Sequence, residues 1–280
     1  MKPRLILYSL LQRKMMKNRI IAIACILPIL HIAPAGAFVE NPCRKILAEG
    51  FHNEYPGINA RLRDRAMYAE LCSSNFQQAR NVITRVQKSG NDSSLGFSYG
   101  LFSPDERGAQ PGMSPSGVSF SADRFSQWKS AYCSTNSPAD SSRAAEFLMQ
   151  KTVSQPVVNA WSACMRKREG LTCWAAPGSP QEEEILLNVN WIKSDSSQPQ
   201  VEHSFLSRGA VAKFEGVPAR RILPVGYQLN AGALQIPVTM QMDNGITANL
   251  KANHEGAEHS CNVFIPGERD FALTTPFVAQ

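Results

Sequence analysis

Ile185-Leu186-Leu187-Asn188-Val189-Asn190-Trp191 places Ile, Leu, Val and Trp on every second position, with Leu, Asn and Asn between them. A period of two sends successive side chains to opposite faces, so this stretch predicts an extended strand with one apolar face on a core. Further extended stretches follow at Val201 to Leu206, Val211 to Phe214, Arg221 to Leu229, Leu234 to Met242, Ile246 to Ala252 and His259 to Ile265. Short strands at such spacing, with turn residues between them, predict an antiparallel β-sandwich over 180–280. No strand there alternates with a helix-period segment, which argues against a parallel nucleotide-binding sheet.

Upstream of Gly170 the apolar period changes to that of a helix. Asn41-Pro42 opens a short helix, and Ile58, Leu62, Ala66 and Ala69 follow at helical spacing. Phe76, Ala79, Ile83 and Val86 continue it after Ser73-Ser74. Phe125, Trp128 and Tyr132 mark another helix, Pro138 starts one with Phe147 and Leu148, and Pro156 lies in the first turn of one carrying Val158, Trp161 and Met165. Between these, Leu95, Phe97, Tyr99 and Leu101 alternate with Gly96, Ser98 and Gly100, predicting a short strand near 95–102. A Pro/Gly/Ser-rich loop from Ser103 to Gly117 comes next. The fold class is therefore α+β, a mainly helical region over 38–175 followed by the sandwich.

One hairpin is expected in detail. A two-residue Asn244-Gly245 turn would set Met240 and Met242 opposite polar partners. A three-residue Asp243-Asn244-Gly245 loop instead opposes Met242 with Ile246, Met240 with Ala248 and Val238 with Leu250, making one face apolar. The second register is the one predicted, with Gly245 in the left-handed position.

The chain starts with the pattern of a secretory leader. Lys17 and Arg19 precede an apolar run from Ile20 to Ala33, and Ala35-Gly36-Ala37 supplies small residues for cleavage before Phe38. Translation from Met16 would give this leader without the long prelude at 1–15. Cys25 follows Arg19 too closely for a lipid-attachment site. The run is short for a span and interrupted by Pro28, so no stable membrane span is expected after cleavage. Six of the 29 basic residues precede residue 38 and no acidic residue does, leaving 23 basic against 23 acidic. The formal charge of +6 belongs to the leader, and global steering toward nucleic acid is not expected. Local clusters at Arg61, Arg63 and Arg65 and at Arg220-Arg221 remain.

Export places the cysteines in an oxidising compartment, secreted or periplasmic. Cys43, Cys72, Cys133, Cys164, Cys173 and Cys261 then read as disulfides, with fifteen connectivities open. None of these pairs has zinc-ligand spacing. Cys164 and Cys173 form the favoured pair, because a helix to about Arg168, a reversal at Gly170 and an extended return bring them together.

No catalytic constellation stands out, and no cofactor is implied. His254-Glu255-Gly256-Ala257-Glu258-His259 is the densest ligand-like cluster, but histidines five apart fall on opposite faces of a strand and are offset on a helix, so the segment reads as a hairpin connection. No Gly-x-Ser-x-Gly elbow occurs. Trp128, Trp161 and Trp191 sit on apolar stripes and read as core. Trp174, beside Cys173 at the junction, is the tryptophan left as a binding candidate. The favoured expectation is recognition of a macromolecule or glycan by the sandwich. The rival is an exported hydrolase whose site lies between the two regions, with His203, His254 and Glu54 as acid/base candidates. A third is a membrane-active effector, against which stands the lack of a strongly apolar segment after the leader.

Overall fold

A computed structural model describes residues 41–88, 120–133, 137–178, 184–193, 197–241 and 244–271. The leader expected over 1–37, the strand expected near 95–102 and the loop expected at 103–117 lie outside them. Helices come first: α1 (Arg44–Glu54), α2 (Ala60–Ser73), α3 (Phe76–Lys88), α4 (Ala122–Tyr132), α5 (Pro138–Gln150) and α6 (Gln155–Arg166). Eight strands follow: β1 (Gly170–Pro177), β2 (Glu184–Ile192), β3 (Gln200–Leu206), β4 (Ala210–Phe214), β5 (Val217–Ala219), β6 (Gly232–Met240), β7 (Ile246–His254) and β8 (Ala257–Ile265).

Local chemistry sets the helix starts. Asn59, Ser121 and Ser137 each accept from backbone N–H groups of the first turn. Asn75 and Gln78 exchange side-chain-to-backbone bonds of 2.9 Å each way, a capping box at the head of α3. Pro138 and Pro156 stand in first turns, where a missing N–H costs nothing. Among the described residues no helix is long and apolar enough to cross a membrane.

The strands form two antiparallel sheets, ordered β1-β2-β6-β4-β5 and β3-β7-β8. Ile185, Leu187, Val189 and Trp191 of β2 join Ile236, Val238 and Met240 of β6 in one core, closed from the other sheet by Ile246, Ala248, Leu250 and Ala252 of β7. Asn188 and Asn190, on the reverse face of β2, are buried as well, and both are hydrogen-bonded. There Asn190 Nδ2 donates to the carbonyl of Arg166 at the end of α6 (3.3 Å), and Gln235 Nε2 donates to Asn188 Oδ1 (3.1 Å).

Of the hairpin expected around 243–245, Met242 and Asp243 lie outside the described residues, and the expected pairs Met240–Ala248 and Val238–Leu250 do not form. β6 pairs with β2 and β4, whereas β7 pairs with β3 and β8. Val238 and Leu250 do present matching apolar faces, but across the core from opposite sheets rather than side by side. Arg221 to Leu229 is also not a strand. This segment runs along the edge of β3 through a bridge at Gln200–Gln228, and Pro224 and Gly226 (φ +86°) break its regularity.

The disulfides are Cys43–Cys164, Cys72–Cys133 and Cys173–Cys261. The expected Cys164–Cys173 bond is absent although α6, Gly170 (φ +81°) and β1 follow the predicted course. The reason is strand alternation. Trp174 points into the helical core, so Cys173 beside it points the opposite way, into the sandwich, where Cys261 of β8 waits. Cys164 remains on α6 and ties it to the entrance of α1. That link spans 121 residues, and on the chain-entropy estimate it constrains the unfolded chain by about 4 to 5 kcal/mol, against about 3 for a short loop.

Proteolysis of the unreduced protein followed by mass spectrometry is expected to recover peptides crosslinked 43 to 164, 72 to 133 and 173 to 261. A peptide crosslinked 164 to 173 would refute the facing assigned to β1.

Candidate functional site

The richest polar convergence in the sandwich forms where β7 turns into β8. Glu255 (φ +51°) and Gly256 (φ +84°) make a two-residue turn in which both centres are left-handed, the geometry that matches strand twist. His254 then pairs with Ala257, and Ala252 with His259. A tight turn between them thus puts two histidines five residues apart on the same face, their ring centroids 6.3 Å apart. The hairpin connection expected over 254–259 is the one that forms, and its turn brings together two histidines that a single strand would set on opposite faces.

Trp191, at the end of β2, contacts both rings, with centroids 5.4 Å from His254 and 5.0 Å from His259. Its indole N–H donates to the Ser197 carbonyl (3.1 Å). His254 is only 4 % exposed. Its Nε2 contacts Ser197 Oγ, its Nδ1 lies 3.0 Å from Lys193 Nζ, and Glu255 Oε2 stands 3.9 Å from Nδ1. A serine, a histidine and a carboxylate therefore meet.

Their polarity is the reverse of a nucleophile's. An ammonium has no lone pair, so in its contact with Lys193 the Nδ1 atom accepts, and the neutral ring carries its proton on Nε2. Nε2–H then donates to Ser197 Oγ. A serine nucleophile requires Nε2 to accept the hydroxyl proton while a carboxylate receives Nδ1–H. The contact works as a latch that fastens residues 193 and 197 of the β2–β3 connection to the β7–β8 hairpin. Among the described residues no group of three or more His, Cys, Asp or Glu side chains is placed to hold a metal.

The other acid/base candidates lie elsewhere. Glu54 accepts from the Ser154 N–H and from Ser154 Oγ (2.7 Å each), capping the N-terminus of α6 from the end of α1. His203 stands exposed on the outward face of β3. Trp174 is 4 % exposed and meets Trp161 edge-on at 6.3 Å, so it offers no surface platform. Trp128, Trp161 and Trp191 are buried as the apolar stripes predict.

A polar cluster that sequence reading does not assemble lies among α1, α2 and α5. Arg44 pairs with Glu70 and donates to Ser142 and to Ser73 Oγ, all within the helical layer. Asn41 Nδ2 donates to Glu146 Oε1 (3.3 Å). Burial raises the Glu146 carboxyl from 4.5 to about 7, against the opposing pull of Arg44, of the Asn41 hydrogen bond and of Arg143. Burial likewise lowers His52, against the raising field of Glu70.

The outward face of β3-β7-β8 carries a different surface. Phe205, Asn249 and Asn262 form one row across the three strands, and His203, Lys251 and Ser260 form the next. Asn249 Nδ2 donates to Asn262 Oδ1, and Lys251 pairs with Glu258 at 2.9 Å. Phe205 is 46 % exposed, the one aromatic among the exposed large apolar side chains of the described residues.

Between pH 4.5 and about 7 the unfolded chain loses a proton that folded Glu146 keeps, so stability falls as pH rises through that window and levels off above it. Glu146→Gln, which can still accept from Asn41, is expected to flatten this slope and to raise stability at pH 8, measured by urea unfolding. An unchanged slope contradicts the assignment. Ser197→Ala is expected to cost about 1 kcal/mol in the same measurement through the lost latch; unaltered stability would contradict that role. No protein family, curated protein or solved structure matches the chain.

Proposed function

We propose that the chain is an exported recognition module that binds a glycan on the outward face of β3-β7-β8. The observation that carries this reading is the exposed Phe205 ring set in a row of amide side chains, Asn249 and Asn262, beside His203, Lys251 and Ser260. Amides donate and accept at once, as sugar hydroxyls do, and an exposed ring supplies an apolar face for the C–H side of a pyranose. A sheet carries these groups at fixed spacing, so little ordering is needed on binding. Three disulfides support maturation outside the reducing cytosol, in keeping with a secreted or periplasmic protein.

The hydrolase reading has one observation in its favour, the contact of Ser197 with His254, and the direction of that hydrogen bond speaks against it.

On a glycan array the native protein is expected to bind a defined subset of sugars, and Phe205→Ala to weaken that binding roughly tenfold or more, as loss of a central aromatic anchor does. Its stability should stay within about 0.5 kcal/mol of the native value, since the ring is a surface group. Failure of the native protein to bind any glycan, or full binding by Phe205→Ala, overturns the reading.

A further inference from the structure

The exposed large apolar side chains of the described residues are Phe205, Val217 and Val225. All three lie toward the sandwich side bounded by β3 and β5, the ends of the two sheets away from β1 and β8, where the helices pack. Two of them stand on tight turns. Val217 follows the left-handed pair Glu215 (φ +50°) and Gly216 (φ +78°) and pairs across β4–β5 with Phe214. Val225 sits in a turn closed by the Tyr227 N–H on the Pro224 carbonyl (3.3 Å), with Gly226 left-handed behind it. The Phe214 and Tyr227 rings meet edge-on at 5.1 Å and so link the two turns. Val217 is 64 % exposed and Val225 62 %.

The same stretch is locally basic. Residues 200–229 hold Arg208, Lys213, Arg220 and Arg221 against Glu202 and Glu215, whereas basic and acidic residues balance over the whole chain beyond the leader. Lys213, Arg220 and Arg221 are exposed, and none forms an ion pair among the described residues. The arginines are also held in place. Directly after them the N–H groups of Ile222 and Leu223 both donate to Ser204 Oγ (2.9 and 3.0 Å), and both side chains are buried.

Aliphatic tips on rigid turns, flanked by unpaired cations, match the depth profile of a membrane interface, where apolar groups reach the acyl boundary and cations meet lipid phosphates. A protein partner would be expected to find a flatter patch with aromatic anchors. We propose that this end of the sandwich docks on an anionic lipid surface, with Val217 and Val225 entering the headgroup boundary and Arg220, Arg221 and Lys213 contacting phosphate. The docking uses other residues than the proposed glycan face and does not depend on it.

The test is flotation of the disulfide-bonded full chain with vesicles of phosphatidylglycerol and phosphatidylcholine in equal parts, and with phosphatidylcholine alone. Binding is expected on the first only, falling as salt is raised. Val217→Asp with Val225→Asp should lose at least about tenfold in affinity, and Arg220→Ala and Arg221→Ala roughly fivefold each. A chain beginning at Phe38 is run beside the full chain, so that vesicle binding by residues 1–37 is read separately. Unchanged near-ultraviolet circular dichroism separates lost docking from lost folding, and Val217→Ser with Val225→Ser replaces the double aspartate should that not fold. Equal binding to both vesicle types, no binding at all, or retention of native affinity by the valine and arginine variants overturns the proposal. So does binding to a soluble polyanion such as heparin without binding to vesicles.

Discussion

β1 is buried on both faces, and most of what surrounds it follows from that. Trp174 enters the helical core against Trp161, while Leu171 and Ala175 enter the sandwich core and Cys173 bonds Cys261 across the two sheets. Gln150 of α5 reaches the Ala175 carbonyl at 3.0 Å, and Phe147 from the same helix belongs to the sandwich core. A tryptophan carries about 150 to 250 Å² of buried surface, so a strand that gives one such residue to the helices is not a passive linker. Residues 39 to 280 accordingly form one compact unit with two apolar cores.

Helices cover β1 on its Trp174 side and β8 at Phe264, and two exposed surfaces stand out among the described residues. One is the amide-rich outward face of the three-stranded sheet, the other the valine-tipped side near β5. The convergence around His254 lies inside this arrangement rather than on it. Its ring, Trp191 and Ser197 close one end of the sandwich, and Lys193 fixes the imidazole in the tautomer that holds Ser197 as an acceptor. Polar residues deep in the helical layer, with Arg44 between Glu70 and Glu146, add a pH-dependent contribution to stability away from either surface.

Periodicity is a local property, and it was legible in the sequence as far as local properties reach. The alternation in β2 correctly assigns Ile185, Leu187, Val189 and Trp191 to one core, and the helical half starts at caps and prolines visible in the chain. Pairing is not local. Val238 and Leu250 carry the same apolar signal whether they sit side by side in a hairpin or face each other across a sandwich, and the second arrangement prevails. The Cys173 partner needed the facing of Trp174, which a junction residue does not reveal. The meeting of His254 and His259 was within reach, because Glu255-Gly256 is a turn and a turn reverses which positions share a face. Arg44, Glu70 and Glu146 come from three helices, and no spacing in the chain joins them.

If β1 couples the two cores, truncating its helix-facing anchor must weaken both. Hydrogen exchange on Trp174→Ala, compared with the native protein, measures this directly in amides of α2 and of β7. A loss of about 3 to 5 kcal/mol of protection is expected in both elements together, the cost of removing a buried aromatic from a shared core. Protection lost in α2 but retained in full in β7 would show that the two cores stand independently and would contradict the account.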